Sequence, residues 1–263
     1  MKIVITGSTS GLGVYLNNRL QEMGFSTILL GGKTSKVWKL GQIVPESIEA
    51  DALIHLAHDR RQSQDENVTA IEKICKTFSG RKIYISSLSA HSNTISNYGK
   101  SKFYGEKIFT SFNGISLRPG IIYGTNYYGG VYSQIEMLIR RIPFAIPVPY
   151  NGLPYMFTTH VDDLINEIVD SLDSKRTGVI FSASPYPISL YGLINQILMN
   201  SAHRRILVSI PREPFNSISK ILVNISPRLK MIDSLMSLSS EVSKKELSSL
   251  LIPKTIFRDF NQI

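Results

Sequence analysis

Residues 1–15 read MKIVITGSTSGLGVY and contain the pattern that decides the fold. The apolar run Lys2 to Ile5 has the length and composition of a buried strand. The glycine-rich segment 6–13, TGSTSGLG, follows it and leads into a stretch of helical period, Leu12 to Met23. Because a strand, a glycine-rich turn and a helix in this order form the first unit of a parallel α/β sheet, we expect that architecture here.

The same alternation continues through the first half of the chain. Short apolar runs that indicate buried strands are separated by longer amphipathic stretches that indicate helices. This order predicts an α/β fold, a Rossmann-like doubly wound parallel sheet with a small C-terminal substrate-binding subdomain. The predicted strands are 27–30, 52–56, 82–85 and 115–117, and the predicted helices are 66–78 and 98–112.

The second half of the chain differs in composition. Fifteen of the eighteen glycines lie at or before Gly130, whereas ten of the twelve prolines lie at or after Pro143. We therefore predict a dinucleotide-binding domain at 1–145 and a small substrate-binding region at 146–263, of which about 155–182 packs back on the sheet. Its predicted helices are 161–172, 190–200 and, with a break at a proline, 215–251; its predicted strands are 179–182 and 206–209.

Composition limits the class of protein. Hydrophobic residues make up 43% of the 263 residues and charged residues 19%, which is typical of a globular chain and excludes disordered and fibrous classes. No apolar run approaches the roughly 18–20 residues of a membrane-spanning helix, and no secretory leader is seen. The single cysteine, Cys75, excludes an internal disulfide, so we expect a cytoplasmic protein. The net charge of +9 favours polyanionic partners, including phosphorylated small molecules.

The glycine-rich segment predicts a phosphate site. Gly7, Gly11 and Gly13 would let the backbone approach an anion at the positive end of the first helix, although an ordinary strand-to-helix turn is the alternative. In NAD-binding proteins an acidic residue about 20 positions further on binds the ribose 2′-hydroxyl. No acidic residue lies between Phe25 and Val44, and Lys33 lies there instead. NADP is therefore favoured over NAD, and a solvated lysine loop is the alternative.

A second group of residues predicts proton transfer. Tyr98 and Lys102, in YGKSK, lie four residues apart on one face of a helix. This helix follows the strand ending in YISS, so Ser86, Ser87 and Tyr98 should meet at the carboxyl edge of the sheet, where open α/β folds bind ligands. A free tyrosine titrates near 10, and we expect the Lys102 ammonium to lower the pKa of Tyr98. The serine hydroxyl would hold a substrate carbonyl oxygen.

Seven motifs in order resemble those of a known superfamily. They are TGSTSGLG at 6–13, HLAHD at 55–59, Asn67, YISS at 84–87, YGKSK at 98–102, LRPGIIYG at 117–124 and HVDDL at 160–164. Together they resemble the extended short-chain dehydrogenase/reductase superfamily, specifically the NAD(P)-dependent epimerase/dehydratase family acting on nucleotide sugars. The likeness covers about residues 1–172 and returns weakly near 235–257.

The resemblance implies roles for individual residues. Tyr98 is the acid–base residue, Lys102 also binds the nicotinamide ribose, Ser87 contacts the reacting oxygen with Ser86 as the near alternative, and Asn67 supports a water relay. The cofactor-binding residues it implies are Gly7, Ser8, Thr9, Ser10, Gly11, Leu12, Gly13, Lys33, Leu56, Ala57, Tyr98, Lys102, Pro119, Gly120, Ile121 and Ile122. The candidate substrate-binding residues are Ser89, His91, Tyr123, Thr125 and Asn126.

Other features of the sequence give weaker indications of function. His55, His58 and Asp59 follow a strand, and without further clustered ligands they do not predict a metal site. The paired arginines are scattered without interleaved aromatic residues, so nucleic acid is not an expected partner. One or more of Arg204, Arg205, Arg212 and Arg228 could clamp a diphosphate.

The function expected from these observations is an NADP(H)-dependent reductase of a keto-sugar carried on a nucleoside diphosphate. The alternatives are an NAD-dependent nucleotide-sugar 4-epimerase and, from another class, a non-catalytic cofactor-sensing module. The pattern also allows a homodimer. Dehydration is set aside because Ser87 is followed by Leu88, Ser89 and Ala90, without the Asp-Glu pair of the family's dehydratases.

Overall fold

A computed structural model describes residues 1–32, 36–43, 48–142, 144–149, 155–199, 205–211 and 247–260. Strands and helices alternate through its first half and shorter strands follow. In chain order the elements are β1 (Lys2–Thr6), α1 (Gly11–Glu22), β2 (Ser26–Gly31), β3 (Lys36–Val37), β4 (Ala52–His55), α2 (Gln64–Thr77), β5 (Arg81–Ile85), α3 (Asn97–Ser111), β6 (Ile115–Pro119), β7 (Ile121–Tyr123), α4 (Gly130–Arg141), β8 (Ala145–Pro149), β9 (Tyr155–Met156), β10 (Thr158–His160), α5 (Val161–Leu172), β11 (Gly178–Ser182), β12 (Ile188–Ser189), α6 (Leu190–Met199) and β13 (Ile206–Ile210).

The main sheet is parallel and has the strand order β11-β6-β5-β4-β1-β2-β3. The chain leaves β1 towards β2 on one side, and β4, on the other side of β1, continues towards β5. The loops after β1 and β4 therefore diverge and leave a crevice at the carboxyl edge, the usual ligand site of such sheets. The predicted Rossmann-like, doubly wound fold is confirmed.

Alternating side chains of the strands build two core layers. Ile3 and Ile5 of β1 pack on the α1 and α5 side, and Val4 packs on the α2 and α3 side; all three are fully buried. Neighbouring strands share this pattern because a strand buried on both faces reads as a continuous apolar run. This layering explains why short apolar runs were sufficient to predict the strands.

Three helices that border the crevice, α1, α2 and α3, each begin after a serine. Ser10 caps α1 by accepting a hydrogen bond from the Gly13 backbone N–H (3.1 Å), and Ser96 caps α3 by accepting one from Gly99 (3.0 Å). Ser63 and Glu66 form a reciprocal capping box at the start of α2. Such caps satisfy backbone donors that the first helical turn leaves free.

The chain after β7 builds a second, smaller core. In this core α4, β8 and α6 pack together through buried residues such as Ile139, Val148 and Leu193. β11 joins the main sheet beside β6, and α5 packs on that sheet through Leu164 and Ile168. The division into 1–145 and 146–263 stays a prediction.

Most predicted elements match the structure to within one or two residues, and α5 matches exactly the predicted range 161–172. The sequence reading missed α4 and the strands β3, β7 to β10 and β12. These strands are two or three residues long or, in β8, broken by proline, which leaves no period to detect. The helix predicted over 215–251 lies almost entirely outside the described residues. Among the described helices, none combines the length and apolar character that a bilayer crossing requires.

Candidate active site

A cleft of about 510 Å³ lies in the crevice at the carboxyl ends of β1, β4, β5 and β6. Its walls come from the loops that follow these strands and from the first turns of α1, α3 and α4. The lining residues are Ser10, Leu12, Leu56, His58, Arg60, Gln62, Gln64, Ile85, Ser86, Ser87, Ser89, Ser96, Asn97, Tyr98, Ser101, Lys102, Pro119, Gly120, Ile121, Ile122, Tyr127, Gly130 and Val131.

The glycine-rich turn is packed against the protein's own backbone. Gly7 has φ +71°, and a β-carbon there would lie 2.7 Å from the Ala57 backbone nitrogen. A β-carbon at Gly13 would lie 2.5 Å from the Gly7 carbonyl oxygen, and one at Gly11 would collide with the Tyr128 carbonyl oxygen. Gly7 and Gly13 let β1, the loop after β4 and α1 approach closely, and Gly11 does the same for the segment 128–129. Close packing of this kind is one of the functions that glycines serve in a dinucleotide fold.

Tyr98 is buried in the inner wall of the cleft. Its hydroxyl is hydrogen-bonded with Ser87, and the His58 ring stands edge-on to its ring with 4.9 Å between centroids. Burial raises the pKa of Tyr98, whereas the Arg60 charge and the Ser87 hydrogen bond lower it. Burial dominates, so Tyr98 keeps its proton at neutral pH.

Lys102 lies one helical turn further along α3 and is buried. Its Nζ donates a hydrogen bond of 2.7 Å to the Ile85 carbonyl oxygen and lies 4.6 Å from the Tyr84 ring centroid and 5.8 Å from that of Tyr98. Burial lowers the pKa of Lys102 to about 7, and the Glu106 carboxylate partly opposes this. The expectation that Lys102 lowers the pKa of Tyr98 is wrong for this geometry: the ammonium is directed to Ile85 and Tyr84, and Arg60 is the charge that favours the phenolate.

The two candidate serines have different surroundings. Ser86 donates a hydrogen bond of 2.6 Å to Glu106, which also forms a bidentate, fully buried ion pair with Arg118 (2.7 and 2.8 Å). Ser87 bonds instead with the Ser89 hydroxyl (2.9 Å) and with Tyr98. Because Ser86 is held by Glu106, Ser87 is the better placed of the two to contact a ligand oxygen.

The loop after β4 contributes a polar wall that the sequence reading did not assign. His58 is largely buried, and burial together with the Lys102 and Arg60 charges lowers its pKa to about 3. The Arg60 guanidinium carbon lies 5.9 Å from the Tyr98 ring centroid. The position of these residues just beyond a strand end was a signal that could have identified them, because strand ends meet at the ligand edge.

About half of the predicted site residues meet in the cleft. Those that line it are Ser10, Leu12, Leu56, Ser87, Ser89, Tyr98, Lys102, Pro119, Gly120, Ile121 and Ile122. Gly7, Ser8, Thr9, Gly11, Gly13 and Ala57 belong to the adjoining turns without lining it, and Lys33 lies outside the described residues.

The remaining predicted residues lie elsewhere. Asn67 is buried, and its amide bonds with the backbone of Asp59 (2.9 and 3.1 Å) and Ser63 (2.9 Å), so it holds the loop at 59–63. His91 and Tyr123 are buried away from the cleft lining, and Thr125 and Asn126 are exposed. The described cleft is lined in this region by Tyr127, Gly130 and Val131. The substrate contacts of the four residues stay a prediction.

The cleft residues suit a dinucleotide cofactor. Leu12, Leu56 and the segment 119–122 contribute apolar lining, Ser10 lies at the start of α1, and Ser87 and Lys102 contribute polar groups near Tyr98. The residues expected to contact a 2′-phosphate include Lys33, outside the described part. Within the described residues, no group of three His, Cys, Asp or Glu side chains is arranged to hold a metal ion.

Solved structures share this fold. No protein-family model and no curated protein matches the chain. A dTDP-4-dehydrorhamnose reductase from Bacillus anthracis in complex with NADP superposes with a TM-score of 0.69 at 17% identity, over 81% of this chain and 86% of that one. A UDP-N-acetylglucosamine 4-epimerase from Bacillus cereus gives 0.63 at 18% identity, over 80% and 85%. A second dTDP-4-dehydrorhamnose reductase, from Yersinia enterocolitica, gives 0.62 at 22% identity, over 79% and 84%.

These similarities establish the fold. The chain has the same fold as these reductases and the epimerase, whose names are those of nucleotide-sugar enzymes. The resemblance read from the seven sequence motifs is confirmed at this level.

Proposed function

We propose that the protein is an NADP(H)-dependent reductase of a keto-sugar linked to a nucleoside diphosphate. The observation that carries the proposal is that Ser87, Tyr98 and Lys102 meet in one cleft at the ligand edge of a doubly wound sheet. NADP is favoured over NAD because no acidic residue lies between Phe25 and Val44, where the ribose carboxylate of NAD-binding proteins is found.

The chain supplies the groups that carbonyl reduction needs. Tyr98, kept protonated by burial, would donate its proton to the forming alkoxide, and the Ser87 hydroxyl would donate a hydrogen bond to the same oxygen. Lys102 and Ser10 would bind the cofactor, whose reduced nicotinamide, when bound, supplies the hydride. The side chains of Leu56 and Ile121 would exclude water from this end of the cleft.

The similar solved structures support a nucleotide sugar as the substrate, but they do not distinguish a reductase from an epimerase. The reductase structure holds NADP, and structures of UDP-sugar epimerases share the same fold. An epimerase would interconvert two nucleotide sugars with no net consumption of cofactor, whereas a reductase oxidises one equivalent per product.

The test is turnover by the purified chain with NADPH and a panel of nucleoside-diphosphate keto-sugars, followed by reduced-nicotinamide absorbance and product mass. We expect stoichiometric NADPH oxidation, reduced about 100-fold or more in Tyr98→Phe, which lacks the proton donor. Tyr104→Phe, an exposed tyrosine of the same helix, is the matched control and should be unchanged. Sugar interconversion without NADPH loss would replace the reductase by an epimerase. Absence of nicotinamide binding would reject both the reductase and the epimerase. If the Tyr98→Phe protein kept the effect of the wild type in the cell, a non-catalytic cofactor-sensing module would be favoured.

A further inference from the structure

The wall of the cleft next to Tyr98 contains a cation without an acidic partner. Arg60 forms no ion pair with any described residue, although its guanidinium carbon is 5.9 Å from the Tyr98 ring centroid. Its chain neighbour behaves differently: Arg61 is 90% exposed and held by Asp59 through its backbone N–H, Nε and Nη2 (2.9, 3.0 and 2.9 Å). Both side chains are exposed, but Asp59 holds Arg61 away from the cleft, whereas Arg60 lines it.

The charged side chains that line the cleft all have the same sign. Lys102 is the second basic residue that lines the cleft, and no aspartate or glutamate is among the described lining residues. A cation that faces a cleft without acidic groups attracts an anionic ligand group, and a guanidinium binds a carboxylate or phosphate with two parallel hydrogen bonds.

The position of Arg60 restricts which anionic group that is. The phenol of Tyr98 marks the reacting carbonyl in the proposed function, on which this inference rests. A group bound by Arg60 therefore lies within about one sugar ring of that carbonyl, because the guanidinium stands over the Tyr98 ring itself. A carboxylate on the carbon next to the reacting one meets this condition, whereas a diphosphate lies beyond the far side of the sugar.

We propose that Arg60 binds a carboxylate carried on the sugar ring, so that the substrate is an acidic, hexuronate-type keto-sugar of a nucleoside diphosphate. His58 contributes by position. Its ring is packed edge-on against Tyr98 and lines the cleft beside Arg60.

Calorimetric titration of the full chain with its reduced cofactor tests the assignment. The probes are a nucleoside-diphosphate hexuronate, the matching hexose and the free nucleoside diphosphate, in uridine and thymidine series. The proteins are wild type, Arg60→Gln and, as matched control, Arg61→Gln. We expect the hexuronate to bind wild type about 10- to 100-fold more tightly than the hexose, the range for a hydrogen-bonded charge. Arg60→Gln should remove that difference and leave hexose affinity within about twofold, and Arg61→Gln should retain it.

Three results would overturn the assignment. Equal weakening of all three probes by Arg60→Gln would place Arg60 on the diphosphate. Weaker NADPH binding in Arg60→Gln, measured by nicotinamide fluorescence, would place it on the cofactor. Equal affinity of the wild type for the hexuronate and the hexose would show that the site does not recognise a carboxylate on the sugar. In each case NADPH-dependent reduction of a neutral keto-sugar would leave the proposed function standing, so the two failures are distinguishable.

Discussion

The Lys102 ammonium donates a hydrogen bond of 2.7 Å to the backbone carbonyl oxygen of Ile85, the last residue of β5. This bond ties the first turns of α3 to the strand that precedes Ser87. A buried cation held by a neutral carbonyl is poorly compensated, which is why burial lowers the pKa of Lys102 to about 7. The site therefore combines a protonated phenol with a lysine that titrates near neutrality.

Lys102 should make the stability of the protein depend on pH above neutrality. Its folded-state pKa of about 7 lies below the value of about 10.4 in an unfolded chain, so between these limits the folded state binds fewer protons and the free energy of unfolding rises with pH. Lys102→Met should flatten this rise, measured by urea unfolding from about pH 6 to about pH 9. Lys107→Met, at an exposed position of α3, is the control. Parallel curves for wild type and Lys102→Met would contradict the prediction.

Glu106→Gln should destabilise the protein strongly. Glu106 accepts from both Arg118 and Ser86, with the arginine and glutamate side chains each 3% exposed. Removing the carboxylate charge leaves a buried guanidinium uncompensated, which typically costs about 3–5 kcal/mol. Glu72→Gln breaks an exposed pair with Lys76 on α2 and should change the free energy of unfolding by less than about 1 kcal/mol. Similar losses in both variants would argue against this account.

Gly13→Ala should damage the cofactor site. The added methyl group would lie 2.5 Å from the Gly7 carbonyl oxygen and 2.7 Å from the Ser8 α-carbon, and backbone atoms cannot move aside as side chains do. We expect a loss of about 1–3 kcal/mol in unfolding free energy and at least about tenfold weaker binding of NADPH. Gly32→Ala, where a β-carbon meets nothing within 4 Å, is the control. Unchanged NADPH affinity in Gly13→Ala would remove the glycine-rich turn from the proposed site.

His55 should make the fold sensitive to acid. It is fully buried, bonds with the Thr6 hydroxyl through Nδ1 (2.7 Å) and has a pKa lowered to about 3, chiefly by burial. Its contribution to stability is present above the unfolded value of about 6.5 and is lost as the pH falls from there towards 3. His55→Phe keeps the aromatic stack with Tyr84 and Phe109 and should lose stability less steeply in this range. An unchanged acid slope in calorimetric melting would refute the assignment.

The amino-acid sequence by itself determined the alternation of strands and helices, and hence the parallel sheet and the edge at which Ser87, Tyr98 and Lys102 meet. These features follow from short-range patterns: continuous apolar runs, helical period and a four-residue spacing. In the second half of the chain β11 and β13 were predicted, whereas β8 was missed because two prolines interrupt its apolar pattern.

Only the tertiary structure decided which residues share the cleft and what charge they carry. Asn67 binds the backbone of Asp59 and Ser63 through its amide and so holds the loop at 59–63, a contact that the sequence did not predict. Its support of a water relay stays a prediction. Arg60 and Arg61 are identical in type and adjacent in sequence, yet the bonds of Asp59 hold one outside and leave the other beside Tyr98. Burial and the direction of a side chain depend on segments distant in the chain, and these two quantities, rather than residue type, set the acidity of Tyr98 and Lys102.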